Sequence, residues 1–202
     1  MKTLNVITVL SLLLLWGCGG GSGDQQAADD TAGTQEKEMA TDVRTIDIYG
    51  INAMKFVVHD EAEGISVGQT VQDSLLVLES ITAQPGETIR VRLTTISDMP
   101  PSAMSHNWLL LDLDADTDAF ATAASQAREN DYVPADMEDM VIAETGLVPG
   151  GETKEVTFTV PEEIGTYDFL CTFPGHYLAG MTGEFIVAEE GESMAPDSGT
   201  GM

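Results

Sequence analysis

Glu155-Val156-Thr157-Phe158-Thr159-Val160 alternates polar and apolar residues with period two, so an extended chain here has one apolar and one polar side. Arg90-Val91-Arg92-Leu93-Thr94 repeats the pattern 60 or so residues earlier, and both read as strands with one face in a core. Working outward, further strands are expected at Thr45–Tyr49, Met54–His59, Leu75–Thr82, Trp108–Leu113, Val141–Thr145, Thr166–Cys171 and Glu184–Val187. Pro85-Gly86, Pro100-Pro101, Pro149-Gly150-Gly151 and Gly165 separate them as turns. About eight short strands over residues 44–188 predict an all-β fold, a β-sandwich whose two sheets bury their facing sides. One helical insertion is expected between Thr117 and Glu129, where alanines recur at 119, 121, 123, 124 and 127.

The 202 residues carry 34 Asp+Glu against 8 Lys+Arg, a formal charge of −26. Nucleic-acid binding through a basic face is therefore excluded, because phosphate neutralisation needs clustered cations. The charge does not imply disorder, since Val, Ile, Leu and Phe recur throughout the strand region. Two cysteines exclude a disulfide scaffold. Residues 1–17 read as a signal peptide: Lys2 gives a positive start, and Leu4 to Trp16 is apolar but too short to span a membrane. Leu15-Trp16-Gly17-Cys18 resembles the bacterial lipobox, in which the cysteine is lipidated and becomes the mature N-terminus; Trp16 departs from the usual small or aliphatic residue there. The alternative is an ordinary signal peptide with Cys18 a bystander. Residues 18–43, rich in Gly, Ala, Gln, Asp and Thr, read as a flexible tether, and residues 189–202 as a disordered acidic tail.

The chemistry gathers in two places. Tyr167-Asp168-Phe169-Leu170-Cys171-Thr172-Phe173-Pro174-Gly175-His176-Tyr177-Leu178-Ala179-Gly180-Met181 sets a thiol, an imidazole and a thioether across a strand end and the loop after it, and Ser105-His106-Asn107-Trp108 adds a second imidazole at another turn-to-strand boundary. Two imidazole nitrogens and a thiolate in a trigonal plane, with a weak thioether on the axis, describe a blue-copper site. Copper(I) prefers soft donors and copper(II) nitrogen donors, so an intermediate geometry held by protein lets the ion change charge with little movement. No position is left for substrate.

These stretches resemble azurin-like blue copper proteins of the cupredoxin family over nearly all of Ile46 to Val187. Cys171-Thr172-Phe173-Pro174-Gly175-His176 matches the family run residue for residue, and Met104 to Trp108 is similar to the segment bearing its first histidine ligand. Asn130-Asp131-Tyr132-Val133-Pro134 to Glu144 resembles the segment after its surface helix. The resemblance implies a Greek-key cupredoxin sandwich and one type 1 copper held by His106, Cys171 and His176, with Met181 axial. It further implies that Asn107 ties the ligand loops together, that the Phe173 amide donates to the Cys171 sulfur, and that an apolar docking patch includes Met104, Phe173, Pro174, Tyr177, Leu178, Met54 and Pro101. Four residues separate His176 from Met181 where azurin has three, Ser105 replaces the usual glycine, and the azurin disulfide has no counterpart.

Other features weigh less. Asp112, Asp114, Asp116 and Asp118 mimic a calcium loop, but Thr117 or Ala119 stands where its glycine belongs and Ala123 or Ser125 where its glutamate belongs. They read as a solvated acidic rim. The ten methionines are scattered rather than repeated, Trp108 reads as core, and His59 belongs to no motif. The expectation is a membrane-tethered electron carrier of the cell envelope, a periplasmic or outer-surface lipoprotein anchored through Cys18. It is expected to be monomeric, not an enzyme, and to exchange electrons with redox proteins such as c-type cytochromes or a terminal reductase or oxidase. Alternatives are a copper-binding or copper-delivery lipoprotein, and a copper oxidoreductase subunit, for which only His59 remains as a further imidazole.

Overall fold

The computed structural model describes residues 43–189 apart from Asp73. The predicted leader, the tether before Val43 with its Cys18, and the tail beyond Glu189 lie outside the described residues.

In chain order the strands are β1 (Arg44–Ile51), β2 (Lys55–Val58), β3 (Ile65–Val71), β4 (Leu75–Ala83), β5 (Thr88–Ile96), β6 (Ser105–His106), β7 (Leu109–Leu111), β8 (Val141–Glu144), β9 (Val148–Pro149), β10 (Thr153–Thr159), β11 (Gly165–Leu170) and β12 (Thr182–Val187). Helix α1 (Thr117–Ala124) interrupts them, followed by short 3-10 turns at Arg128–Asn130 and Glu138–Met140. The pairing order is β10-β5-β1-β2-β4-β12-β11-β7-β8, with β3 on the outer edge of β4 and β6 paired to β9. The β4 strand belongs to both layers: Leu76 and Val77 pair with β2, whereas Ser80 to Ala83 pair with β12. Parallel pairings of β1 with β5 and of β12 with β4 give the crossovers of a Greek-key sandwich.

Alternation decides which side chains enter the core. Ile89, Val91, Leu93 and Thr95 of β5 are buried while the residues between them are not, and Val156 and Phe158 turn inward from β10. They pack with Ile46 and Ile48 of β1 and with Phe169 and Phe185 of β11 and β12. Trp108 is fully buried among Phe158 and Phe169, with ring centroids 5.9 and 5.8 Å away. Each such side chain contributes roughly 1.5–3 kcal/mol on burial.

The helix is shorter than expected. Asp116 caps its N-terminus by accepting from the Ala119 N–H at 2.9 Å, and Phe120 and Ala124, four apart, are its buried face. The position that would extend that stripe, Arg128, is exposed, so propensity alone does not carry the helix to Glu129. Three strands were not anticipated: β3, β6 and β9. The β3 strand carries register shifts at Ser66/Val67 and Val67/Thr70, and its mixed burial lacks the clean alternation that marks β5 and β10.

Candidate metal centre

Register explains why two segments 65 residues apart meet. In the antiparallel β7–β11 ladder Leu109 lies opposite Leu170 and Leu110 opposite Phe169, so the residues just before β7 face those just after β11. Asn107 and Thr172 therefore come side by side. The Thr172 N–H donates to Asn107 Oδ1 at 2.8 Å, and Asn107 Nδ2 donates to Thr172 Oγ1 at 2.7 Å, both bonds buried. Asn107 thus ties the ligand segments together, as the resemblance implies. Ser105 and His106 are fixed on their other side by pairing with Pro149 and Val148, and Ser105 Oγ donates to the Pro101 carbonyl at 2.8 Å.

The loop after β11 folds on itself through backbone bonds. His176 N–H donates to Phe173 O, Ala179 N–H to Gly175 O, Gly180 N–H to Tyr177 O and Met181 N–H to His176 O, all within 2.7–3.1 Å. Gly175 and Gly180 have φ of 86° and 80°, a region that costs other residues but not glycine. Cys171 N–H donates to the Met181 carbonyl at 3.0 Å, closing the loop at its base.

The outcome is a convergence of three donor atoms. His106 Nδ1 and His176 Nδ1 are 3.1 Å apart, and Cys171 Sγ lies 3.9 Å from the first and 3.4 Å from the second. A point equidistant from all three lies about 2 Å from each, which is the length of a transition-metal bond to nitrogen or sulfur. His106, Cys171 and His176 are 0, 0 and 2% exposed. Two imidazole lone pairs and a sulfur aimed at one small dry space are repulsive unless a proton or a cation sits between them, so the residues fit a metal ion. Met181 is also fully buried and belongs to the core cluster that includes Cys171.

Electrostatics agree. Burial, with the His176 ring beside it, lowers the His106 pKa to about 3; the Ile51 carbonyl pulls the other way, although no well-formed hydrogen bond reaches the buried His106 Nε2 from among the described residues. Burial lowers His176 to about 4. Burial raises the Cys171 thiol to about 12, partly opposed by the backbone amides of Asn107 and Phe173. Without metal the three donors are neutral at pH 7. A bound cation would displace the thiol proton, and the two amides favour the resulting thiolate.

Several expectations need correction or addition. Met104 and Phe173, expected on a docking patch, are only 6 and 7% exposed, Phe173 being packed between Tyr132 and His176. Leu178 is 89% exposed and Pro174 is exposed, so the apolar surface beside the site is narrower than expected. His59 stacks edge-on to Tyr49 at 4.5 Å and is exposed, outside the donor cluster. The acidic rim touches the ligand loop: Tyr177 Oη donates to Asp118 Oδ1 at 2.7 Å, and that bond raises the Tyr177 pKa to about 12. Two residues went unread in the sequence. Gly50 abuts the first histidine, since a Cβ there would lie 2.5 Å from His106 Cδ2; a glycine inside a strand is the signal that could have found it. Lys55 donates to two carbonyls of the ligand loop, and nothing in the sequence marks it.

Residues 65–188 match the family described as copper binding proteins, plastocyanin/azurin family. Auracyanin-A of Chloroflexus aurantiacus is 35% identical over 126 residues, covering 61% of this chain and 73% of that protein. Azurin of Alcaligenes faecalis is 40% identical over 90 residues, covering 43% of this chain and 69% of its own. Among solved structures, auracyanin A of the same Chloroflexus, described as a "blue" copper protein, superposes with a TM-score of 0.53 at 32% identity, covering 71% of this chain and 98% of that one. Auracyanin B superposes with a TM-score of 0.54 at 27% identity, covering 72% and 89%.

Proposed function

This chain belongs to the plastocyanin/azurin family of copper-binding proteins, and from that premise we propose that it is a one-electron carrier held at a membrane by lipid on Cys18. It is a cupredoxin with a blue-copper electron-transfer site for one copper, at His106, Cys171 and His176. The observation that carries the electron-carrier reading is that the three donors are both convergent and buried, while the proposed tether rests on the sequence around Cys18 alone. Copper, when bound, supplies the Cu(I)/Cu(II) couple. The chain's own part is to keep water out, to hold His106 and Cys171 on opposite sides of the Asn107–Thr172 bridge, and to leave no open position for a substrate. Two anchored segments resist the rearrangement that a change of ion charge would otherwise cause. Met181 is the proposed axial donor, supported by its burial and by its place at the foot of the ligand loop. A delivery protein would want exposed, labile donors, and burial speaks against that reading.

The proposed location is the cell envelope, periplasmic or on the outer surface. The proposed partners are redox proteins with a basic face, such as c-type cytochromes or a terminal reductase or oxidase. The charge of −19 over residues 46–188, with exposed Leu178 and Pro174 beside the acidic residues near α1, supports a basic partner with an apolar contact at its centre. Copper(II)-loaded protein should show an intense thiolate charge-transfer band in the visible, lost on Cys171→Ser. A colourless oxidised protein with stoichiometric copper would remove the basis for the reading.

A further inference from the structure

Lys55 opens β2, far from the ligand loop in sequence. Its ammonium donates to the Ala179 carbonyl at 2.7 Å, across 124 residues, and to the Gly180 carbonyl at 3.0 Å. These are the two carbonyls immediately before Met181. Gly180 sits at φ 80°, a conformation that favours glycine, and a Cβ there would lie 2.7 Å from Lys55 Nζ, so the ammonium lies close against this turn. On the other side, Met54 adopts φ 53°, unusual for a residue with a long side chain, and its N–H donates to the Ile51 carbonyl at 2.9 Å. That tight turn delivers Lys55 to the loop. The same hairpin meets the first histidine through Gly50, so it touches both ligand-bearing segments.

The use of the charge is unusual for this chain. Arg44, Arg90 and Arg92 each lie 2.7–3.6 Å from a carboxylate. Carboxylates outnumber cations 34 to 8, yet Lys55 is half-buried against main-chain carbonyls. Hydrogen bonds from a charged donor are roughly twice as strong as neutral ones.

We propose that Lys55 is a positioning residue for the copper centre: it pins the Ala179–Gly180 turn, fixing the backbone that carries Met181, and its positive charge favours the reduced state of the site. This rests on the blue-copper reading above. The pinning acts on the loop whether or not metal is bound, whereas the charge acts on the Cu(I)/Cu(II) balance. The two effects separate experimentally, because Lys55→Met removes donor and charge together while Lys55→Gln keeps a donor without the charge.

The experiment compares wild type, Lys55→Met and Lys55→Gln by amide hydrogen exchange of the metal-free full chain and by redox titration of the copper-loaded protein. In Lys55→Met, exchange at Gly180 and Met181, whose N–H groups are bonded to Tyr177 and His176, should quicken at least tenfold, with β11 and β12 amides unchanged. The Cu(I):Cu(II) ratio at fixed ambient potential should fall about tenfold, or 59 mV for a one-electron couple. Lys55→Gln should recover the loop protection but not the ratio. Unchanged loop exchange in Lys55→Met overturns the pinning, and so does a loss of protection spread over the whole sheet, which would make Lys55 a general stabiliser. An unchanged ratio overturns the electrostatic role. If loaded wild type lacks the charge-transfer band, the functional reading falls and takes the copper half of the proposal with it, while the exchange result still decides the pinning.

Discussion

Replacing Asn107 with Ala tests whether the two ligand segments are held together where the structure joins them. The substitution removes two buried hydrogen bonds, to the Thr172 N–H and to its hydroxyl. The bond to the hydroxyl contributes roughly 0.5–1.5 kcal/mol, and the Thr172 N–H, left without a partner inside the protein, costs about 1–3 kcal/mol. The expected loss is therefore about 3 kcal/mol, a large part of the roughly 5–15 kcal/mol that holds a domain folded. Thr172→Val removes only the hydroxyl half and leaves Asn107 Nδ2 unpaired, so about 1–3 kcal/mol is expected. Because the two residues share one bridge, the double variant should lose less than the sum, with a coupling of about 0.5–3 kcal/mol. Denaturant unfolding of the metal-free protein, followed by circular dichroism, measures all three. A loss below about 1 kcal/mol for Asn107→Ala, or full additivity with Thr172→Val, would refute the bridge as a structural tie.

Two further outcomes follow from the same site. The folded, metal-free protein keeps His106 neutral down to about pH 3, whereas an unfolded chain protonates it near 6.5, so stability falls as the pH drops below about 6.5. His106 alone should account for about 2 kcal/mol between pH 7 and pH 5, measured by denaturant unfolding of the metal-free protein at the two values, and a change under about 0.5 kcal/mol contradicts it. At the alkaline end the sign reverses: the unfolded chain loses its thiol proton near pH 9 while buried Cys171 keeps its own to about 12, so stability falls again above 9. Leu178→Glu, at an 89% exposed position, should leave the visible spectrum unchanged and slow electron exchange with a basic redox partner several-fold; stopped-flow rates equal to wild type would move the docking site elsewhere.

What the residues announced was what depends on local pattern. Period-two alternation fixed the strands of β5 and β10 to within a residue or two, because their inward side chains meet a single continuous core. The donor set was legible because a thiol and an imidazole five residues apart sit in one loop, and a run as specific as Cys171 to His176 matches a known family. What sequence could not give was anything made by pairing distant segments. The two-residue strands β6 and β9 exist only because Ser105 and His106 meet Val148 and Pro149. Burial of Met104 and Phe173 depends on what packs over them, here Tyr132 in the case of Phe173. The helix ended early because its buried stripe ends at Ala124, which alanine content does not reveal. Lys55 is the clearest instance, since a lysine at the start of a strand looks like any solvent-facing residue until the fold brings Ala179 to it.

The β7–β11 ladder that sets the two ligand segments side by side also bears on how long the chain takes to fold. Its bonds and the Asn107–Thr172 bridge close over about 65 residues, and long closures of this kind are made slowly. Until they form, Cys171 is an accessible thiol of ordinary acidity, able to meet oxidants or stray metal ions. Once they form, the same sulfur is sealed and its proton is held tightly. The vulnerable interval for this cysteine is therefore the folding time itself, and metal that meets the finished protein finds all three donors already buried.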